Sequence, residues 1–177
     1  MDHVNESVTP ILRVALSISG GPMRTTKPHA EFAPGAYQGL LQVYRYTRAC
    51  GLEPGLLHLV ELRASQMNGC VYCMDMHATE ALEGGESQRR LNVLAGWRES
   101  TAFTPRERAA LAWTEALTEF GRHQAGDALY QATRAHFSEQ ELVDLTYAIA
   151  LINAWNRLGV GLLPDLPKDP AGPPAKV

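Results

Sequence analysis

Cys70, Cys73 and His77 are the residues of this chain whose types and spacing could do chemistry together. At about 100° per residue, positions i, i+3 and i+7 share a stripe roughly 60° wide on one helix face, so the three can meet. Side chains at i and i+3 lie about 5–6 Å apart in a regular helix, and a small adjustment of a first turn permits a disulfide. Asn68-Gly69, just before Cys70, breaks the chain and supplies such a turn. A helix start also favours thiolate over thiol through its unpaired N–H groups and positive dipole end. A free cysteine of pKa about 8.5 is only a few per cent thiolate at neutral pH, so any such stabilisation raises the reactive fraction. His77, four residues after Cys73, can take its proton or pair with the thiolate as imidazolium.

The same residues admit other readings. The cysteines could be a buried structural pair and the histidine a satisfied side chain. Zinc could use Cys70, Cys73 and His77, with His58 as a fourth ligand, although structural zinc cysteines usually sit on knuckles and no second pair is present. Covalent haem attachment needs histidine directly after the second cysteine, where Met74 stands. Upstream, His58, Glu61 and Ser65 form a polar stripe opposite Leu56, Leu57, Val60, Ala64 and Met67. Facing the cysteines, that stripe could orient the imidazole or shuttle its proton. Facing outward, it would meet solvent or a neighbouring subunit.

The elements that must position these residues read as helices. Helical signals are dense from about residue 35 to 161, and no segment alternates with period 2 between hairpin turns, so the fold class is all-α. Helices are expected at about 35–50, 54–67, 70–83, 87–97, 104–120, 127–136 and 138–159. Pro54 suits a first helical turn, and Thr104-Pro105-Arg106-Glu107 and Ser138-Glu139-Gln140-Glu141 read as capping boxes. Six to seven helices would thus form one domain over residues 34–163. Residues 1–33, with Pro10, Gly20-Gly21-Pro22 and Pro28, read as an irregular arm, and 164–177 as a Pro-rich tail.

A length of 177 residues with 45% hydrophobic content suits one domain with a real core. The net charge of -3 and the lack of a Lys/Arg run speak against nucleic acid or an anionic membrane as partner. Ile11 to Ile18 is too mildly apolar for a leader, being preceded by Asp2 and Glu6 and interrupted by Arg13, and no other run approaches a membrane span. A cytoplasmic protein is expected. Three cysteines, an odd number, do not describe a disulfide framework there, and Cys50 is left over.

The stretch LVELRASQMNGCVYCMDMHATEAL, Leu59 to Leu82, resembles the core of AhpD-like alkylhydroperoxidases in the carboxymuconolactone decarboxylase superfamily. The resemblance continues through RLNVLAGWRES, FTPRERAALAWTEALT and HFSEQELVDLTYAIALINAWNRLG, about residues 34 to 160. It implies an all-helical subunit that assembles into homo-oligomers and reduces hydrogen peroxide or organic hydroperoxides, with neither metal nor haem as cofactor. It further implies that Cys73 attacks the peroxide, that Cys70 resolves the sulfenic acid, and that His77 relays the proton. An external dithiol, a lipoyl protein or thioredoxin-like donor, would reset the disulfide.

The family's relay glutamate, twelve residues before the first cysteine, is His58 here, with Glu61 nearly one turn further on; either could serve. Tyr72 replaces a histidine that some members carry between the cysteines, and is a poorer base. In the last helix Asn153-Ala154-Trp155-Asn156-Arg157 also resembles the family, and could frame a pocket or simply pack. The alternative from another class is a non-enzymatic redox sensor or disulfide-exchange module using the same pair. Members with decarboxylase chemistry lack these cysteines.

Overall fold

Proline and capping residues set the helix starts. The computed structural model describes residues 24–122 and 125–163. The expected arm up to residue 23 and the expected tail from 164 lie outside the described residues. Within them are α1 (His29–Phe32), α2 (Pro34–Ala49), α3 (Pro54–Asn68), α4 (Val71–Glu83), α5 (Gln88–Val93), a 3-10 helix (Leu94–Glu99), α6 (Pro105–Thr118), α7 (Asp127–Arg134) and α8 (Glu139–Leu162). The described residues contain no strand.

The chain is all-α, as its periodicity predicts. The helix beyond the expected seven is α1, a single turn in the segment read as irregular, and α8 runs to Leu162 rather than ending near Gly159. The expected fourth helix is α5 followed by the 3-10 helix, with Gly96 at φ -105° and ψ 25° marking a kink inside the latter.

Both capping boxes form. Thr104 Oγ1 accepts from the Glu107 N–H while Glu107 accepts from the Thr104 N–H, and Ser138 and Glu141 repeat the exchange at the head of α8. Each such cap satisfies two backbone donors that an open helix end leaves unpaired.

The centre of the fold is α3, which packs against α4, α6 and α8. Leu57, Leu59, Val60, Leu62 and Ala64 are all buried, and so are Glu61 and Ser65. One apolar cluster joins Leu56, Leu57 and Val60 to Trp113, Phe137, Leu145 and Ile149. A second joins Leu59 and Leu62 to Leu91, Leu94, Trp97, Phe103 and Leu111. A helix enclosed on every side cannot keep a solvated polar stripe, so its polar residues must find partners inside the protein. That constraint builds the site. No helix among the described residues is long and apolar enough to cross a membrane.

Candidate functional site

The turn between α3 and α4 places the cysteines. Gly69 ends α3 in the left-handed conformation, at φ 67° and ψ 28°, where a Cβ would be strained. The Cys70 N–H then donates to the Ser65 carbonyl at 3.0 Å, closing the turn. Asn68 Nδ2 donates to Asn153 Oδ1 at 3.0 Å and to Asn156 Oδ1 at 2.9 Å, tying the turn to α8. Asn156 in turn donates to Ser65 Oγ at 3.0 Å.

Cys70 is therefore the N-cap of α4 and not its first residue, with φ -82° and ψ 93°. Its Sγ accepts from the Cys73 N–H at 3.4 Å. The expected shared stripe holds for Cys73 and His77, while Cys70 reaches Cys73 through the extended cap conformation. The two are joined as a disulfide with Cα atoms 5.3 Å apart. The pair packs with Ala64 and Ile152 and is almost wholly buried. Cys50 lies apart, its thiol donating to the Thr47 carbonyl at 3.1 Å.

Against the disulfide lies the backbone of α8 at Gly159. A Cβ at this position would stand 2.6 Å from Cys70 Sγ and 3.4 Å from Cys73 Sγ, so only glycine fits without displacement. Nothing in the sequence reading singled Gly159 out. Its one signal is a glycine inside a helix, where it is normally unfavourable.

His77 is buried one turn beyond Cys73. Its Nδ1 lies 3.0 Å from Glu80 Oε2 and 3.4 Å from Glu61 Oε2, and as a carboxylate only accepts, Nδ1 carries the proton. The other ring nitrogen, Nε2, is buried without a hydrogen-bond partner among the described residues. Glu61 is held by Arg48 from α2, whose Nη2 donates to both carboxylate oxygens at 2.7 Å. His58 Nδ1 stands 4.0 Å from Glu61 Oε2 and 3.8 Å from Glu80 Oε2.

The structure thus joins Cys70 to Cys73, groups His58 and Glu61 with His77, sets Cys73, Glu61 and His77 on one cavity, and turns the polar stripe of α3 inward. It adds Arg48 and Glu80, which the sequence reading missed. Glu80 had a readable signal, standing three residues after His77 on the same face. Arg48 had none, since α2 is oriented towards α3 only by packing.

Burial holds the His58 imidazole below its usual pKa, against the pull of the Glu61 carboxylate. The hydrogen bond from His77 holds Glu80 below the usual carboxylate range. Burial works against the charge on Arg48, but contact with Glu61 outweighs it and raises the guanidinium further. Of these groups, Glu61, His77 and Glu80 line a cavity.

That cavity, of about 540 Å³, opens onto Cys73, His77, Glu61 and Glu80, and Cys70 does not line it. Its walls are mainly apolar: Tyr37 and Leu41 from α2, Met76 from α4, and Leu151, Ile152, Trp155, Leu158 and Leu162 from α8. Thr25, Pro28, His29 and Ala30 close one side. This segment is tied down by Arg24, whose N–H donates to the Leu162 carbonyl at 3.1 Å and whose side chain donates to the Gly161 carbonyl at 3.0 Å. The ring of Trp155 meets those of Tyr37 and His29, at centroid distances of 5.7 and 6.3 Å. Of the Asn153–Arg157 run, Trp155 frames the cavity, while Asn153 and Asn156 secure the cysteine turn.

Residues 34–116 match the model of the carboxymuconolactone decarboxylase family. The uncharacterized protein YdfG of Bacillus subtilis is 35% identical over 132 residues, which cover 75% of this chain and 90% of that protein. A solved structure from Agrobacterium tumefaciens, of unknown function and assigned by name to AhpD-type antioxidant defence, shares 39% identity with a TM-score of 0.78. The match covers 83% of this chain and 99% of that one. A peroxidase-related protein with an alkylhydroperoxidase AhpD core from Ralstonia eutropha JMP134 shares the fold at 20% identity. Its TM-score is 0.67, over 77% of this chain and 74% of that one.

Proposed function

The chain belongs to the carboxymuconolactone decarboxylase family as an AhpD-like member, and from that premise we propose that it is a thiol-dependent peroxidase that reduces hydroperoxides through a Cys70–Cys73 disulfide cycle. The observation that carries this reading is the buried cysteine pair, with Cys73 and the buried His77 on the wall of a mainly apolar cavity and Cys70 bonded to Cys73 off that wall.

In the reduced protein the Cys73 thiol gives its proton to His77 Nε2, the ring nitrogen with no partner among the described residues, while Nδ1–H is anchored on Glu80 with Glu61 3.4 Å away. Those two carboxylates stabilise the imidazolium that results. The Cys73 thiolate attacks the terminal peroxide oxygen, the O–O bond breaks, and His77 returns its proton to the departing alkoxide. Products are the Cys73 sulfenic acid and an alcohol, or water when the substrate is hydrogen peroxide. Cys70 then attacks the sulfenic sulfur, water leaves, and the disulfide forms. One peroxide is reduced for two thiols oxidised.

An external dithiol must reopen the disulfide, and a lipoyl group or a thioredoxin-like protein has the chemistry to do so. Its attack falls on Cys73, the sulfur that the cavity reaches. We assign the protein to a reducing compartment and to a homo-oligomer on the same family premise.

The test is peroxide consumption driven by a small dithiol. Cys73→Ser should reduce turnover to background, and Cys70→Ser should allow one stoichiometric reduction and then stall as a sulfenic acid trapped by dimedone. Undiminished turnover in Cys73→Ser would sink the reading.

A further inference from the structure

Glu61, His77 and Glu80 of the cavity wall, together with His58 beside them, hold more ligand-type atoms than a proton relay can use. On α3 the spacing His58-x2-Glu61 and on α4 the spacing His77-x2-Glu80 repeat the same step on two packed helices. In consequence two imidazoles and two carboxylates converge, with one ligand atom from each all lying within 4.8 Å of one another. We propose that His58, Glu61, His77 and Glu80 bind a single divalent transition-metal ion of the zinc type through two imidazole nitrogens and two carboxylate oxygens.

Three observations carry this. The first is distance. Ligands at 2.0–2.1 Å around a tetrahedral ion stand about 3.3–3.4 Å apart. Here the four histidine-to-carboxylate separations are 3.0, 3.4, 3.8 and 4.0 Å and all pairs of ligand atoms lie within 4.8 Å, so side-chain adjustments, without movement of the helices, close the shell. The second is unmet bonding capacity. Of these four contacts only His77–Glu80 is a hydrogen bond, while His58 Nδ1 is buried, faces both carboxylates and has no hydrogen-bond partner among the described residues. A cation would satisfy all four groups at once.

The third is the support around the set. Arg48 fixes both oxygens of Glu61, which is the outer partner a ligating carboxylate commonly has. Imidazole and carboxylate together suit zinc and its first-row neighbours better than calcium or magnesium, which take oxygen alone. The cysteines are not part of this set.

The inference goes beyond peroxide reduction and does not depend on it, but the two would compete for His77. An ion on Nδ1 takes that lone pair, so the neutral ring carries its proton on Nε2 and can no longer accept one from Cys73. A loaded protein should therefore be a silenced one.

The experiment uses the oxidised full chain, with Cys70 and Cys73 tied up, stripped with chelator and dialysed. It is titrated with Zn2+ by calorimetry and with Co2+ by visible spectroscopy. The expected result is one ion per chain, with cobalt d–d bands and no thiolate charge-transfer band, and the same result in Cys70→Ser/Cys73→Ser. His58→Gln and Glu80→Gln, both partly exposed and checked for folding by circular dichroism, should each weaken binding at least about tenfold.

No saturable binding to the wild type, binding indifferent to both variants, or a charge-transfer band that disappears with the cysteines would overturn the site. Binding is read without peroxide, so an inactive enzyme leaves this result standing. In an active one, turnover lost on saturation with Zn2+ and recovered with chelator would support the site, and turnover unchanged at saturation would refute ligation by His77.

Discussion

Gly159 and Arg48 show how single residues outside the C-x2-C-x3-H pattern set its geometry. In a helix interior, alanine normally improves on glycine by roughly 0.5–1 kcal/mol. At Gly159 the added methyl meets the sulfur of Cys70 at 2.6 Å, and overpacking a filled site typically costs about 1–3 kcal/mol. The steric effect wins, and Gly159→Ala should lower the stability of the oxidised protein by about 1–2 kcal/mol in urea unfolding. A stabilised Gly159→Ala would show that α8 does not press on the disulfide.

Arg48 carries a larger consequence, because its partner Glu61 is 3% exposed and has no other guanidinium in contact among the described residues. Removing one member of a buried ion pair leaves the other uncompensated, at a cost of about 3–5 kcal/mol. Arg48 is itself partly exposed, so a loss nearer 2–3 kcal/mol is expected for Arg48→Met. Double substitution with Glu61→Gln should recover part of that loss. A strictly additive double mutant would show that the two side chains are not coupled.

Helix termini are the part of the fold that local sequence determines, and the cap of α8 gives a pH test of that. Glu141 accepts from the Ser138 N–H and from Arg106, and these bonds depress its carboxyl from 4.5 to about 2. A depressed folded-state pKa contributes stability that is fully present above the unfolded value and lost as protons bind the folded form. The contribution of Glu141 should therefore fade as pH drops from about 4.5 to about 2. Stability measured across that window should fall less steeply in Glu141→Gln, whose amide oxygen can still cap but does not titrate. Equal slopes would mean that the cap does not discriminate between charged and neutral forms.

The same locality explains what could be read in the chain. Pro54, Thr104 and Ser138 act within one turn, so helix starts were legible to within a residue or so. The Asn68-Gly69 break and the Cys73–His77 step were legible for the same reason. The inward orientation of His58 and Glu61 was not, because it depends on α3 being enclosed by α4, α6 and α8. Likewise Arg48 and Gly159 belong to helices distant in sequence, and only packing brings them to the cysteines.

At the scale of the whole molecule, the long helix α8 and the segment tied to it by Arg24 make a mainly apolar chamber with one polar end. Such a chamber binds a substrate by what it removes from water, about 25 cal/mol for each Å² of apolar surface buried. A cumyl or fatty-acyl hydroperoxide offers that surface and hydrogen peroxide offers none, so the bulky substrate should show the lower KM. Trp155 presents its ring to the cavity beside Tyr37 and His29, at the edge of the cluster that holds the cysteines. Trp155→Ala should raise KM for cumene hydroperoxide about tenfold with little change in kcat, and leave hydrogen peroxide turnover nearly as it was. Equal losses with both peroxides would mean that Trp155 supports the active-site architecture instead of the substrate, and the apolar wall would then have no part in recognition.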